Sequence, residues 1–485
     1  MEINNRKPSL GFALVIFLLV IVTLAVGMLV FKGKLGLLML LCWFIVIPAG
    51  AYLKYTFSDL EKMAYDMIRS GLGAMMIVIT VGAMIGAWIL SGTVPSLISY
   101  GLQIINPQYF FVTSFFLCSL TSLFTGTSWG TIGSAGLALV GVGAAMDLNM
   151  GIVAASIITG AYFGDKLSPL SDTTNLAATV AGCKVMQHVK HMLWTTVPAY
   201  VISSILYLIL GLRNNVENMD YSQIDVVVSG LDRFFNIGLI PLLPALIVLI
   251  LLLLNKPPII SLMIATGVAA VIAIAYQGAD IATVLSALYN GYIIDSGAPA
   301  IDKILNRGGI ASMWDTMGVF IFALGLGGLL NGVGILETLL NPVSKGATTT
   351  KRVVFLTMIV SYIANAVGAS LLFAITMTGT LMQPLYRKHN LRPENLSRTI
   401  EDTATMSAFL IPWNTGAIYA AGVLGVAAID FIPYCFLGFL TPVFTILYAI
   451  TGRTLCKLDE GEEYGEATMY KSRFNPLRSE KIESK

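Results

Sequence analysis

Residues 160–182 read GAYFGDKLSPLSDTTNLAATVAG, a charged, proline-broken segment set among apolar stretches of membrane length. It carries Asp165, Lys166 and Asp172, the proline Pro169, and the run Ser171, Asp172, Thr173, Thr174, Asn175. Charges at membrane depth are expensive and mark ion or substrate paths. Pro169 has no N–H, so a helix breaks there and releases backbone carbonyls that can coordinate a cation. A broken helix with carboxylates and hydroxyls at the break suits the binding site of a secondary transporter.

The apolar stretches fix the class. Of 485 residues, 56% are hydrophobic and 12% charged, whereas soluble domains carry about 25% charged residues. Runs of roughly 20 apolar residues recur, each long enough to cross about 30 Å of hydrocarbon as a helix. Spans are predicted at 10–31, 35–54, 72–92, 109–124, 149–164, 195–212, 237–254, 258–276, 312–332, 353–368, 396–411 and 430–451. The fold class is all-α and polytopic, without the alternation of a membrane barrel. The first run is too long for a signal h-region and reads as a span.

The net charge of +2 points to no partner, and no basic block suggests nucleic acid. Cys42, Cys118, Cys183, Cys435 and Cys456 lack metal-like spacing and read as packing residues. His188 and His191 could clamp a metal, but a charged interfacial face is the preferred reading. No GxxxxGK[ST], nucleophile elbow or HExxH is present, so neither ATP-driven transport nor an enzyme is expected, and no cofactor is implied.

Two segments are too rich in small residues for plain spans. Residues 125–145 (TGTSWGTIGSAGLALVGVGAA) read as a re-entrant hairpin with its tip near Thr127 to Thr131, and 369–386 as its counterpart. Residues 55–70 and 282–307 read as interfacial. The polar stretch 213–236 reads as a hinge. The domains are therefore a first half over 1–212, a linker over 213–236, a second half over 237–452, and a charged, solvated tail over 453–485.

The halves repeat. Ser91-Gly92 falls opposite Asn331-Gly332, Gly126-Thr127-Ser128 opposite Gly368-Ala369-Ser370, and Pro169-Leu170-Ser171-Asp172 opposite Pro412-Trp413-Asn414-Thr415. The shifts are 240, 242 and 243 in unchanged order, as expected of an internal duplication. Lysines and arginines at 1–7 and 54–70 place those segments in the cytoplasm, and their absence from 93–108 places that loop outside.

Asp172 is the first choice for a carboxylate shared by Na⁺ and a proton, with Asp165 beside it. Such a group, its affinity for protons raised by burial, exchanges the two cations. The alternative for Asp172 is a helix N-cap, and for Asp165 a neutralised pair with Lys166. Ser171, Thr173, Thr174 and Asn175 supply neutral oxygens. In the second half Glu401 and Asp402 are candidates. Being adjacent, they are expected to point different ways, and Arg398 is within ion-pair reach. Pro412 marks the second break. Thr127, Ser128, Asn365, Asn414 and Thr415 are assigned to the cavity, with Trp129 and Trp413 as walls. Asn414 and Thr415 stand where Ser171 and Asp172 stand in the first half, so the half-sites are unequal.

The runs GAYFGDKLSPLSDTTNLAA, LFTGTSWGT and IPWNTG resemble the NhaC-type Na⁺/H⁺ antiporters of the ion-transporter superfamily. The likeness spans roughly residues 10–450. It implies a bacterial inner-membrane protein with two inverted repeats, each with a re-entrant hairpin and a broken helix. It further implies that Asp165, Ser171, Asp172, Thr173, Thr174 and Asn175 bind the ion. Related antiporters exchange malate and protons for Na⁺ and lactate. The expected function is export of Na⁺ against protons, with Na⁺-coupled organic-anion antiport as the alternative. Expected partners are Na⁺, protons, small carboxylates in the alternative case, the bilayer, and a second copy of the chain in a homodimer.

Overall fold

The computed structural model describes residues 7–213, 221–345, 348–458 and 464. Their regular structure is helical throughout, with two isolated backbone bridges, Tyr292–Arg307 and Leu391–Lys457. Nine described helices are long and apolar enough to cross a membrane. A bent pair, Thr415–Leu424 with Ala428–Tyr434, makes a tenth. Twelve crossings were expected from the sequence. The difference lies in shorter or more polar helices such as Leu243–Leu253 and Phe436–Thr451.

The polarity is inside-out for a water-soluble protein. Leu18, Phe44, Leu120 and Val271 are exposed, while Ser156, Thr159, Thr195, Asn365, Glu401 and Asp402 are fully buried. Apolar groups outside and paired polar groups inside are what hydrocarbon solvent selects.

Helix starts recur at one constant spacing in the two halves of the chain. Helices start at Ser128, Met150 and Asp172, and again at Leu371, Pro393 and Thr415. The offset is 243 residues each time (128 to 371, 150 to 393, 172 to 415). Five of these six starts share one device. Thr127, Asn149, Ser171, Ser370 and Asn414 each turn a side-chain oxygen onto a backbone N–H of the first turn, which satisfies a donor the helix leaves open. The preceding helices, Phe110–Thr125 and Thr350–Gly368, end in left-handed residues at the same offset, Gly126 at φ 69° and Ala369 at φ 50°.

The hairpins expected within 125–145 and 369–386 have another form. Residues Ser128–Ala145 are one helical stretch containing a π turn at Ile132–Gly136, and Leu371–Lys388 is a single helix. The sharp turns fall just before them, at Gly126–Thr127 and Ala369–Ser370. The run of small residues permits close packing instead of a bend.

Close packing also fixes the site helix. Helices Phe110–Thr125 and Met150–Leu167 approach until a Cβ on Gly160 would lie 2.4 Å from the Phe115 carbonyl oxygen. One on Gly164 would lie 2.2 Å from the Leu123 amide nitrogen. No side chain fits there, so glycine sets the depth of the residue that follows, Asp165.

The peripheral expectations fare unevenly. Phe57–Ser70 is amphipathic and opens with a capping box between Thr56 and Asp59, and Ile281–Asn290 and Pro299–Leu305 occupy the second stretch read as interfacial. The stretch read as a polar hinge contains the helix Tyr221–Phe234, while residues 214–220 lie outside the described part. The start of the tail is not free. Arg392 N–H donates to the Cys456 carbonyl (3.0 Å), Leu458 N–H to the Asn390 carbonyl (2.9 Å) and Tyr464 Oη to the Ala181 carbonyl (3.0 Å).

Candidate ion-binding site

The helix Met150–Leu167 stops at Ser168, and the next begins at Asp172. The proline is the physical cause: without an N–H it cannot bond the Asp165 carbonyl four residues back. That carbonyl is not left free. Thr174 Oγ1 donates to it (2.9 Å) and also lies 3.1 Å from the Lys166 carbonyl, while Asn175 Nδ2 donates to the carbonyls of Pro169 (2.9 Å) and Ser171 (2.7 Å). Backbone oxygens that the sequence suggested for a cation are thus stitched by the residues that follow.

The carboxylate at the break is Asp165, 6% exposed. Ser128 Oγ donates to its Oδ2 (2.6 Å) and Ser171 Oγ to its Oδ1. Ser171 Oγ is also 3.0 Å from Thr173 Oγ1. Each donor hydroxyl sits at the start of a helix, so two helix N-termini face one acid, an arrangement that favours negative charge.

Asp172 stands elsewhere. Ser171 takes the N-cap position, so Asp172 is the first residue of its helix and its side chain is exposed. It reaches the rim of a cavity of about 260 Å³ whose lining includes Ser128, Asp165, Asp172, Thr173, Ser370 and Thr415. Thr127 and Trp129 line it too, whereas Asn365, Asn414 and Trp413 do not.

Asn365 and Asn414 instead form a buried knot. Asn365 Nδ2 donates to Ser407 Oγ (2.8 Å) and the Ala404 carbonyl (2.5 Å), and Asn414 Nδ2 donates to Asn365 Oδ1 (2.8 Å). Trp413 Nε1 donates to the Ala366 carbonyl (2.7 Å). Thr415 N–H donates to the Ala369 carbonyl (2.9 Å), tying the second break at residues 408–414, with Pro412 inside it, to the second tight turn.

Two ion pairs expected along the chain are replaced by one between halves. Lys166 is fully buried and pairs with Asp402, not with its neighbour Asp165. Arg398 pairs with neither nearby acid; its Nη1 donates to Thr454 Oγ1 (2.8 Å). Asp402 is saturated, accepting also from Thr195 Oγ1 (3.0 Å) and Thr445 Oγ1 (2.6 Å). Glu401 is likewise fully buried, so the adjacent acids do not point to opposite environments. They lie in a π turn, Glu401–Thr405, enclosed on all sides.

His188 and His191 are buried rather than interfacial, and His188 Nδ1 lies 2.7 Å from Ser397 Oγ. Among the described residues, no group of three or more His, Cys, Asp or Glu could hold a metal. Cys42, Cys118 and Cys435 are buried.

Two broken helices and a charged, protein-enclosed cluster between the halves of the chain, set among apolar helices of membrane length, fit a multi-pass membrane transporter. Residues 160–453 match the Na⁺/H⁺ antiporter family. The chain is 37% identical to a malate-2H⁺/Na⁺-lactate antiporter of Bacillus subtilis, over 92% of this chain and 96% of that one. It is 35% identical to the Na⁺/H⁺ antiporter NhaC of Alkalihalophilus pseudofirmus, over 92% and 97%. It is 32% identical to the arginine/ornithine antiporter ArcD of Halobacterium salinarum, over 96% of each. This chain belongs to the Na⁺/H⁺ antiporter family.

Proposed function

We propose that the protein moves Na⁺ out of the cell in exchange for protons, by alternating access, with Asp165 as the carboxylate both cations use. One observation carries this reading: Asp165 is buried at a helix break, held by a hydroxyl from each of two helix starts, and borders a cavity reached by both repeats. A deprotonated Asp165 offers a hard anionic oxygen. Ser128 and Ser171 can turn from donating to the acid to offering their own oxygens, which suits a small hard cation. Protonation removes the charge and releases the cation. Asp172 at the rim concentrates cations before they reach Asp165.

In the same proposal the repeats are inverted across a bacterial plasma membrane. The turns at Gly126–Thr127 and Ala369–Ser370 are re-entrant tips near the midplane. The full burial and mutual hydrogen bonds of the Asn365–Asn414 knot support a rigid second half-site against which the first rocks.

Organic-anion coupling is the second reading. The 37% identical relative is named for malate and lactate, and Ser370 and Thr415 give the cavity a neutral second half. Proteoliposomes assayed for Na⁺-driven pH change, with and without malate and lactate, decide between the readings. Asp165→Asn should abolish the Na⁺-driven signal. A carboxylate-independent signal of normal size in that variant would refute the assignment.

A further inference from the structure

Glu401 is the one acid of the cluster with neither an ammonium nor a well-aligned hydroxyl on it, Thr405 being its nearest donor. It is fully buried, and neither carboxylate oxygen has a hydrogen-bond partner. Asp165 has two hydroxyl donors, and Asp402 has an ammonium and two hydroxyls. Yet Glu401 is within electrostatic range of Lys166, Asp165 and Asp402. Two of these carboxyls, Asp402 and Glu401, therefore share the one ammonium of Lys166. Ionising both would bury a negative charge without a partner. Asp402, which has the donors, takes the charge, and Glu401 carries a proton. π turns inside helices are often found at functional sites, and this one begins at Glu401.

The remaining ionisable groups around the π turn do not compete for the role. Arg398 precedes it on the same stretch, and Tyr362, Tyr386 and Tyr448 come from the packed helices. Asp172 opens the packed helix Asp172–Ala181 but stays at the rim. His188 and His191 face the preceding turn, near Ser397 and Arg398.

We propose that Glu401 is a second proton-carrying group, separate from the cation carboxylate Asp165, with Lys166 as its exchangeable counter-charge. The inference rests on the antiport reading. When Na⁺ enters at Asp165, Glu401, which does not itself line the cavity, passes its proton to the cavity by way of Asp165 and becomes a carboxylate. The Lys166 ammonium, which keeps its protons, turns from Asp402 toward it. Asp402 retains the hydroxyls of Thr195 and Thr445. Asp165 surrenders one proton and Glu401 another for each Na⁺ taken up, so a cycle moves two protons against one Na⁺ and carries one net charge.

The test is the H⁺/Na⁺ ratio in proteoliposomes, read as the pH gradient that just halts flux down a fixed Na⁺ gradient at clamped voltage. Wild type should give a ratio of two, and Glu401→Gln a ratio of one with voltage dependence lost. A ratio of one in wild type, or of two retained in the variant, overturns the proposal. Should Glu401→Gln fail to insert, protons released per Na⁺ bound are counted with wild-type protein in unbuffered detergent: two supports the proposal, one overturns it. A wild-type protein with no Na⁺-linked proton movement at all would instead sink the antiport reading, a distinguishable outcome.

Discussion

Trp129 and Tyr419 stack with ring centroids 4.2 Å apart and planes inclined by 13°, and Tyr419 Oη donates to the Trp129 carbonyl at 2.6 Å. The contact joins the helix start carrying Ser128, a donor to Asp165, to the half-helix after the second break. The two halves of the chain therefore meet through a stack whose Trp129 member lines the cavity. Tyr419→Phe keeps the rings and loses one hydrogen bond, worth about 0.5–1.5 kcal/mol; exchange should fall no more than threefold. Tyr419→Ala removes the stack and should lower exchange at least tenfold with unchanged membrane abundance. Equal rates for the two variants would deny the stack a role.

Removing one partner of the buried pair leaves an uncompensated charge. Lys166→Met and Asp402→Leu should each destabilise the protein by about 3–5 kcal/mol, and the double variant by less than their sum. Thermal unfolding of the purified variants in detergent measures this. Additive losses would show that the two groups do not act as a pair.

Gly164→Ala places a methyl group 2.2 Å from the Leu123 amide nitrogen and 2.4 Å from the Ser122 carbonyl carbon. Both are backbone, so the helices must separate. We expect a loss of about 1–3 kcal/mol and a weaker apparent Na⁺ affinity, because Asp165 moves with its helix. Gly73→Ala, where a Cβ meets nothing within 4 Å, is the control and should match wild type in sodium titrations of exchange.

The capping box supplies a pH prediction away from the membrane interior. The Thr56 hydroxyl and backbone N–H both donate to Asp59, which holds its carboxyl below the usual carboxylate range. A lowered folded value means the cap is intact above the ordinary value, about 3.9, and is lost as pH falls through the depressed one. Amide exchange at the start of Phe57–Ser70 should therefore rise in strong acid, after correction for intrinsic rates. Asp59→Asn should show no such transition, and a matching transition there would exclude the cap as its source.

What was legible in the sequence was local. Pro169 announced its break because the missing N–H acts within one turn, whereas the cap was read one residue late: the sequence offered Asp172, and Ser171 holds the position. The 243-residue offset could be read because proline, glycine and hydroxyl residues survive in order. The partner of Lys166 could not be read: sequence proximity suggested Asp165, while Asp402 comes from the other half. The roles of Thr174 and Asn175 were hidden for a related reason, since a side chain that stitches a carbonyl has the same composition as one that binds an ion. The π turn at Glu401 was invisible too, because it depends on the tight enclosure around that segment.

Synthesis order gives the pairing of Lys166 with Asp402 a further meaning. The two residues are 236 positions apart, and a ribosome adding about 5–20 residues per second needs roughly 12–47 seconds to cover that distance. Throughout this interval the nascent first half holds an ammonium with no counter-ion inside the bilayer or at its edge. Lys166 must therefore wait near the headgroups or inside the insertion machinery, and the helix Met150–Leu167 seats fully only when the second half arrives.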